Sequence, residues 1–119
     1  MEIRHKGKVI ADKVKILKNS IEKARGLILR PKIKAKEGFL FCFNKEGYWS
    51  FHMFFMSYPI DILWLDSTKR VVDMIKGFKP YSIYKPKKKA RYVLEMREGT
   101  ISQHKISKRD MLEFEINGK

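Results

Sequence analysis

The sequence predicts a mainly β fold: a β-rich α+β domain, built as a compact antiparallel barrel or sandwich of about seven short strands with one short α-helix. Three observations lead there. Short apolar segments recur along the chain, separated by turn-forming residues. Only one segment carries helical spacing. Residues 38–43, Gly-Phe-Leu-Phe-Cys-Phe, are apolar on both faces of a two-residue period, the mark of a strand covered on both sides. A length of 119 residues suits one domain over residues 1–119. A hydrophobic content of 44% supplies its core.

Taken in order, residues 9–17 alternate loosely, with Lys15 between Val14 and Ile16, and predict a strand exposed on one face. Asn19 and Ser20 offer capping oxygens ahead of Ile21, Ala24, Leu27 and Ile28, which fall on one helical face. Pro31 ends that helix. Gly26 inside it would cost about 1 kcal/mol relative to Ala, so the helix ends near it or another group approaches its backbone. Residues 38–43 form a strand, Asn44-Lys45-Glu46-Gly47 a turn, and residues 48–55 its hairpin partner. Strands follow at residues 60–66 and 71–75, joined by Ser67-Thr68-Lys69-Arg70. The last two strands lie at residues 92–96 and 112–116, with a turn at Glu98-Gly99 between them. The uncharged aromatic stretch 47–60 holds His52, Ser57 and Pro59 and then meets Asp61. It falls short of the roughly 20 apolar residues that cross a bilayer, so core strands are expected there and no membrane association.

Composition excludes several classes of function. A single cysteine, Cys42, rules out an intramolecular disulfide framework and a multi-thiolate metal centre. His5, His52 and His104 stand far apart with no paired metal-ligand spacing, and no glycine-rich phosphate loop occurs. No metal and no cofactor are therefore expected, and no catalytic motif is evident. Absence of a secretory pattern at the amino terminus predicts a cytoplasmic protein.

The chain carries 27 Lys and Arg against 13 Asp and Glu, a net charge of +14. That charge is uneven. Residues 1–36 carry +9, residues 37–66 carry −3, residues 67–109 carry +10 and residues 110–119 carry −2, while ten of the fifteen aromatics lie in 37–66. Most aromatics thus avoid the basic stretches, contrary to the interleaving that a single-strand nucleic-acid platform needs. The exception is residues 79–92, where Tyr81, Tyr84 and Tyr92 interleave with Lys79, Lys85, Lys87, Lys88, Lys89 and Arg91. This run reads either as a phosphate-contacting loop or as a solvated turn held open by Pro80, Pro86 and like-charge repulsion. Lysine outnumbers arginine 20 to seven, which suits weak, sequence-independent polyanion binding more than base recognition.

Several fragments occurring in order resemble the uncharacterised family known as domain of unknown function 192. They are Arg25-Gly26-Leu27-Ile28-Leu29-Arg30, Gly38-Phe39-Leu40-Phe41, Phe51-His52-Met53, residues 59–66 (Pro-Ile-Asp-Ile-Leu-Trp-Leu-Asp), Ala90-Arg91-Tyr92-Val93-Leu94-Glu95 and a late Asp110. The resemblance covers roughly residues 10–116. Ile28 stands where the family pattern has methionine. His52-Met53-Phe54-Phe55-Met56 replaces a tryptophan-methionine-lysine-asparagine-threonine segment of many members, so the polar part of that segment is missing. The resemblance implies a compact β-rich fold with one short helix and no established activity.

Charged residues embedded in apolar sequence are the informative ones, because removing an ion from water costs several kcal/mol unless it is paired. Arg25, Arg30, Asp61, Arg91 and Glu95 meet that test. One reading places Arg25 and Arg30 opposite Asp61 and Glu95 in a cleft for a small polar or anionic molecule, since guanidinium groups bind carboxylate and phosphate bidentately. The other makes the same five residues an internal ion-pair network fixing helix to sheet. A polyanion-binding surface at Lys85, Lys87, Lys88 and Lys89 is the alternative function, with nucleic acid as its partner.

Overall fold

The structure, a computed structural model, describes residues 1–18, 32–49, 51–52 and 58–116. Its centre is a five-stranded sheet ordered β3-β4-β9-β6-β7, with β3 at Lys13–Leu17, β4 at Glu37–Gly47, β6 at Ile60–Leu65, β7 at Val71–Phe78 and β9 at Ala90–Arg97. One face is covered by a three-stranded sheet, β10-β1-β2, formed by β1 (Ile3–His5), β2 (Lys8–Ala11) and β10 (Leu112–Glu113) together with a short helix α1 at Thr100–Gln103. Toward the other face lie the two-residue strands β5 (Phe51–His52) and β8 (Ile83–Tyr84), paired with each other. Among the described residues the protein is therefore mainly β with one short helix, and it is sandwich-like rather than a closed barrel.

Covering on both faces accounts for the unbroken apolar strands. All six residues of β6 are buried. Leu63 and Leu65 join Ile3, Ile10, Leu40, Leu94, Ile101 and Leu112 in one core. Ile60, Ile62 and Trp64 join Leu17, Ile33, Phe41, Phe78 and Val93 in the second. Neighbouring residues of β4 divide in the same way, Leu40 to the first core and Phe41 to the second. The two-faced burial expected for residues 38–43 is borne out.

Several local expectations are corrected. Residues 9–17 form two strands, β2 and β3, broken at Asp12, whose N–H donates to the Lys36 carbonyl. β3 runs parallel to β4, and a parallel pair needs a crossover of a dozen or more residues, which residues 18–36 provide in length. Asn44-Lys45-Glu46-Gly47 is not a turn but the continuation of β4, whose antiparallel partner is β9. The apolar face of β4 and the loop-forming residues at its end are compatible with either arrangement, and long-range pairing decides between them. Helix α1 forms just beyond the expected Glu98-Gly99 turn, and β1 and β8 lie outside all the expected strands. The helix expected over residues 20–28 and most of the expected strand 48–55 lie outside the described residues.

Two irregularities interrupt the β6–β7 pairing. Leu65 faces Val71 while Trp64 faces Asp73, so Val72 is an extra residue and Asp73 turns to the face that Trp64 occupies. Ile60 faces Phe78 while Ile62 faces Ile75, and the extra length is absorbed at Gly77, whose φ of +62° favours glycine.

Leu63 is fully enclosed, so Leu63→Ala is expected to lower unfolding free energy by about 2–5 kcal/mol. Tyr81→Ala, at a residue 74% exposed, should change it by less than about 0.5 kcal/mol. Urea unfolding monitored by tryptophan fluorescence measures both.

Candidate functional site

Asp61 is buried near the start of β6, and its carboxylate is occupied by backbone. Oδ1 accepts the Gly77 N–H at 2.8 Å. Oδ2 accepts the N–H groups of Gly99 at 3.1 Å and Ile101 at 2.9 Å. Gly99 is the N-cap of α1 and has no side chain to satisfy the first turn, so Asp61 performs that role from another strand. One carboxylate thereby holds the β7 bulge and the helix start to β6.

Glu95 is also completely buried, but on the other side of the sheet. It stands opposite Phe39 of β4 and Ile62 of β6, whereas Asp61 stands opposite Met96. Directly opposed residues share a face and successive residues alternate, so Asp61 and Glu95 point to opposite faces. The two acids are therefore not brought together in one cleft. Arg25 and Arg30 lie outside the described residues.

Arg91 does reach a cleft. Half-buried at the start of β9, it donates from Nε to the Phe43 carbonyl at 2.8 Å. It lines a cavity of about 450 Å³ with Lys18, Asn44 and Lys69, above an apolar floor of Cys42, Phe43, Tyr92 and Ile116. The Lys69 ammonium donates to the Phe114 carbonyl and sits 4.7 Å from the centre of the Phe114 ring, an arrangement that fixes its position. Among the described residues, three cations and no carboxylate line this cavity.

The basic loop is more ordered than a solvated turn. Asp73, turned inward by the first bulge and 3% exposed, accepts the Tyr84 hydroxyl at 2.8 Å and the Lys87 N–H at 3.1 Å. Tyr84 leans on Trp64, ring centres 5.3 Å apart, and Pro86 is buried. Burial, followed by the hydrogen bond to and charge of Asp73, pushes the Tyr84 hydroxyl up to about 12. Lys87 and Lys88 line a groove of about 330 Å³ with Arg70, Asp73, Lys108 and Arg109. Lys85 and Lys89 are exposed and are not among its lining residues. Sequence reasoning missed Asp73, although it is flanked by Val71, Val72, Met74 and Ile75 and satisfies the same embedded-charge test that selected Asp61.

A further polar pair joins the amino terminus to the last loop. His5, 3% exposed, places Nε2 2.8 Å from Asp110 Oδ2, which also accepts the Ser107 N–H at 2.9 Å. The Ser107 N–H, then His5, hold the Asp110 carboxyl below the usual carboxylate range.

The family model DUF192, described as "Uncharacterized ACR", matches residues 1–114. The chain belongs to this family. Within it, a UPF0127 protein of Thermococcus kodakarensis is 36% identical over 109 residues, covering 92% of this chain and 69% of that protein. One from Pyrococcus furiosus is 34% identical over 111 residues and covers 92% of each. Among solved structures, a protein of unknown function from Novosphingobium aromaticivorans superposes with a TM-score of 0.78 at 25% identity, covering 85% of this chain and 74% of that one. A Sinorhizobium meliloti protein, provisionally named a transcription regulator, reaches 0.83 at 24% identity over 94% and 91% of the two chains, a likeness of fold. Like the rest of the described DUF192 chain, neither cavity is lined by a group of three or more His, Cys, Asp or Glu that could hold a metal ion. No helix among the described residues is long and apolar enough to cross a membrane.

Because Asp110 has a depressed carboxyl pKa when folded, the unfolded chain binds more protons in acid, so stability rises with pH through that range. This contribution is present above the ordinary aspartate value of 3.8 and is lost as pH falls through the lower folded value. Asp110→Asn is expected to lower stability at pH 7 and flatten its decline below about pH 4. Urea midpoints measured between about pH 3 and pH 7 test this, and an unchanged acid limb would contradict it.

Proposed function

We propose that this DUF192 protein is a small binding domain for a small anionic molecule, taken up in the cleft around Arg91. The observation that carries the reading is the lining: Lys18, Lys69, Arg91 and Asn44 over an apolar floor, with no carboxylate among the described lining residues. Its volume, about 450 Å³, lies in the range of sites that enclose small ligands. With Nε committed to the Phe43 carbonyl, the guanidinium plane is oriented and its two Nη groups can receive a carboxylate or phosphate bidentately. Lys69, anchored by the Phe114 carbonyl and ring, adds a second charge at little further cost in side-chain entropy.

In this reading Asp61 and Glu95 maintain the fold and do not touch the ligand. Asp61 serves the backbone of β7 and α1. Glu95 is buried on the opposite face of the sheet, away from the Arg91 cleft lining. The polyanion reading belongs to a different surface, where Lys87 and Lys88 lie.

The test is titration of the protein with inorganic phosphate, sulfate and short dicarboxylates, followed by backbone amide shifts. Shifts confined to residues 18, 42–44, 69, 91–92 and 116 are expected. Arg91→Lys, which keeps the charge and removes the fork, should weaken binding about tenfold or more, equivalent to ~1.4 kcal/mol, with little change in unfolding midpoint. Anion-induced shifts scattered over the surface, or full affinity in Arg91→Lys, would overturn the proposal.

A further inference from the structure

We infer that the groove lined by Arg70, Lys87, Lys88, Lys108 and Arg109 is a phosphate-backbone site for single-stranded nucleic acid, distinct from the Arg91 cleft. Three separate segments converge there: the start of β7, the loop before β9 and the loop before β10. They bring five cations around one carboxylate, that of Asp73. That carboxylate is already engaged, accepting the Tyr84 hydroxyl and the Lys87 N–H, while the Lys108 ammonium stands 3.8 Å from it. The groove consequently keeps most of its positive charge for a partner.

The array is built and not merely exposed. Asp73 pins the loop at Lys87 from below, Pro86 is buried and Tyr84 rests on Trp64. On the other wall Arg70 Nη1 donates to the Arg109 carbonyl at 2.7 Å. The Arg109 N–H in turn donates to the Val71 carbonyl at 2.7 Å, with Arg109 held at φ +77°. A backbone held in this way, with the Arg70 side chain fixed on it, has less conformational entropy to lose when the groove meets phosphate. Arg70 and Arg109 also add two planar donors to a surface that the sequence shows mainly as lysine, and guanidinium groups suit phosphate oxygens best.

The choice of a single strand comes from the same loop. Tyr81, 74% exposed, and Ile83, 60% exposed, present an aromatic and an apolar side chain to solvent only a few residues before Lys87. A base can stack on an exposed ring while its phosphates follow the cationic groove. Polyglutamate offers charge but no ring for Tyr81 to stack on.

Fluorescence anisotropy with a labelled 12-nucleotide oligothymidylate tests the inference, with heparin and polyglutamate as competitors. Binding is expected at low salt, weakening by about 0.7 log units per log unit of salt for each phosphate neutralised. Lys87→Glu/Lys88→Glu should cut affinity more than about tenfold and lower the salt slope by about 1.4. Lys13→Glu/Lys15→Glu, the same charge change on the opposite edge strand β3, should cost much less. Tyr81→Ala should weaken oligonucleotide binding about tenfold and leave heparin binding unchanged. No oligonucleotide binding at low salt, equal losses from the two lysine pairs, indifference to Tyr81→Ala, or equal competition by polyglutamate would each overturn the inference.

Discussion

The structure depends on one buried carboxylate. Asp61 stands on the fully enclosed strand β6 and receives three backbone N–H groups, from Gly77, Gly99 and Ile101. Each donor belongs to a place where regular pairing fails: the bulge of β7 and the opening of α1. Burial of unpaired N–H groups would cost about 1–3 kcal/mol apiece, so an acceptor with several lone pairs at this point lets the bulge and the short helix coexist against the first core. Gly77 completes the arrangement, since its φ of +62° is a conformation that residues with a Cβ rarely adopt.

From that anchor comes a division of labour among charges. The buried acids Asp61, Asp73 and Glu95 lie within the layers, and of these Asp61 and Asp73 satisfy backbone donors. Arginines and lysines lie at the rim, where β4, β9 and the loops leave clefts with cationic walls. Net charge by itself explains neither cleft. What matters is that the Arg91, Lys69 and Arg70 side chains are each positioned by a backbone carbonyl or an aromatic ring, and that the Lys87 backbone is tied to the Asp73 carboxylate.

Much of this was legible in the sequence, and what was not has physical reasons. Apolar runs with two covered faces located β4, β6 and β9, because burial on both sides leaves no polar alternation to obscure them. Asp61 and Glu95 stood out as ions in apolar context, and both are buried. Their division between opposite faces follows from cross-strand register, which no local pattern reveals. Asp73 carries the same signal in its apolar flanks, but its inward turn depends on the bulge at Val72. Parallel pairing of β3 with β4 and the use of residues 44–47 as strand were hidden for the same reason: local turn chemistry competes with long-range pairing, and here pairing prevails. The charges at Lys87 and Lys88 were visible, but the groove they line takes its other wall from residues 108–109, far along the chain.

The central claim is that Asp61 is an anchor of the fold and not part of a ligand site, and Asp61→Asn tests it most directly because shape is kept while one acceptor becomes a donor. Native-state hydrogen exchange at Gly77, Gly99 and Ile101, measured together with urea unfolding and phosphate titration, reports both roles at once. Loss of protection at those three amides and a fall in stability of about 2 kcal/mol or more are expected, with phosphate affinity at the Arg91 cleft unchanged. Unchanged protection and stability together with lost phosphate binding would contradict that claim.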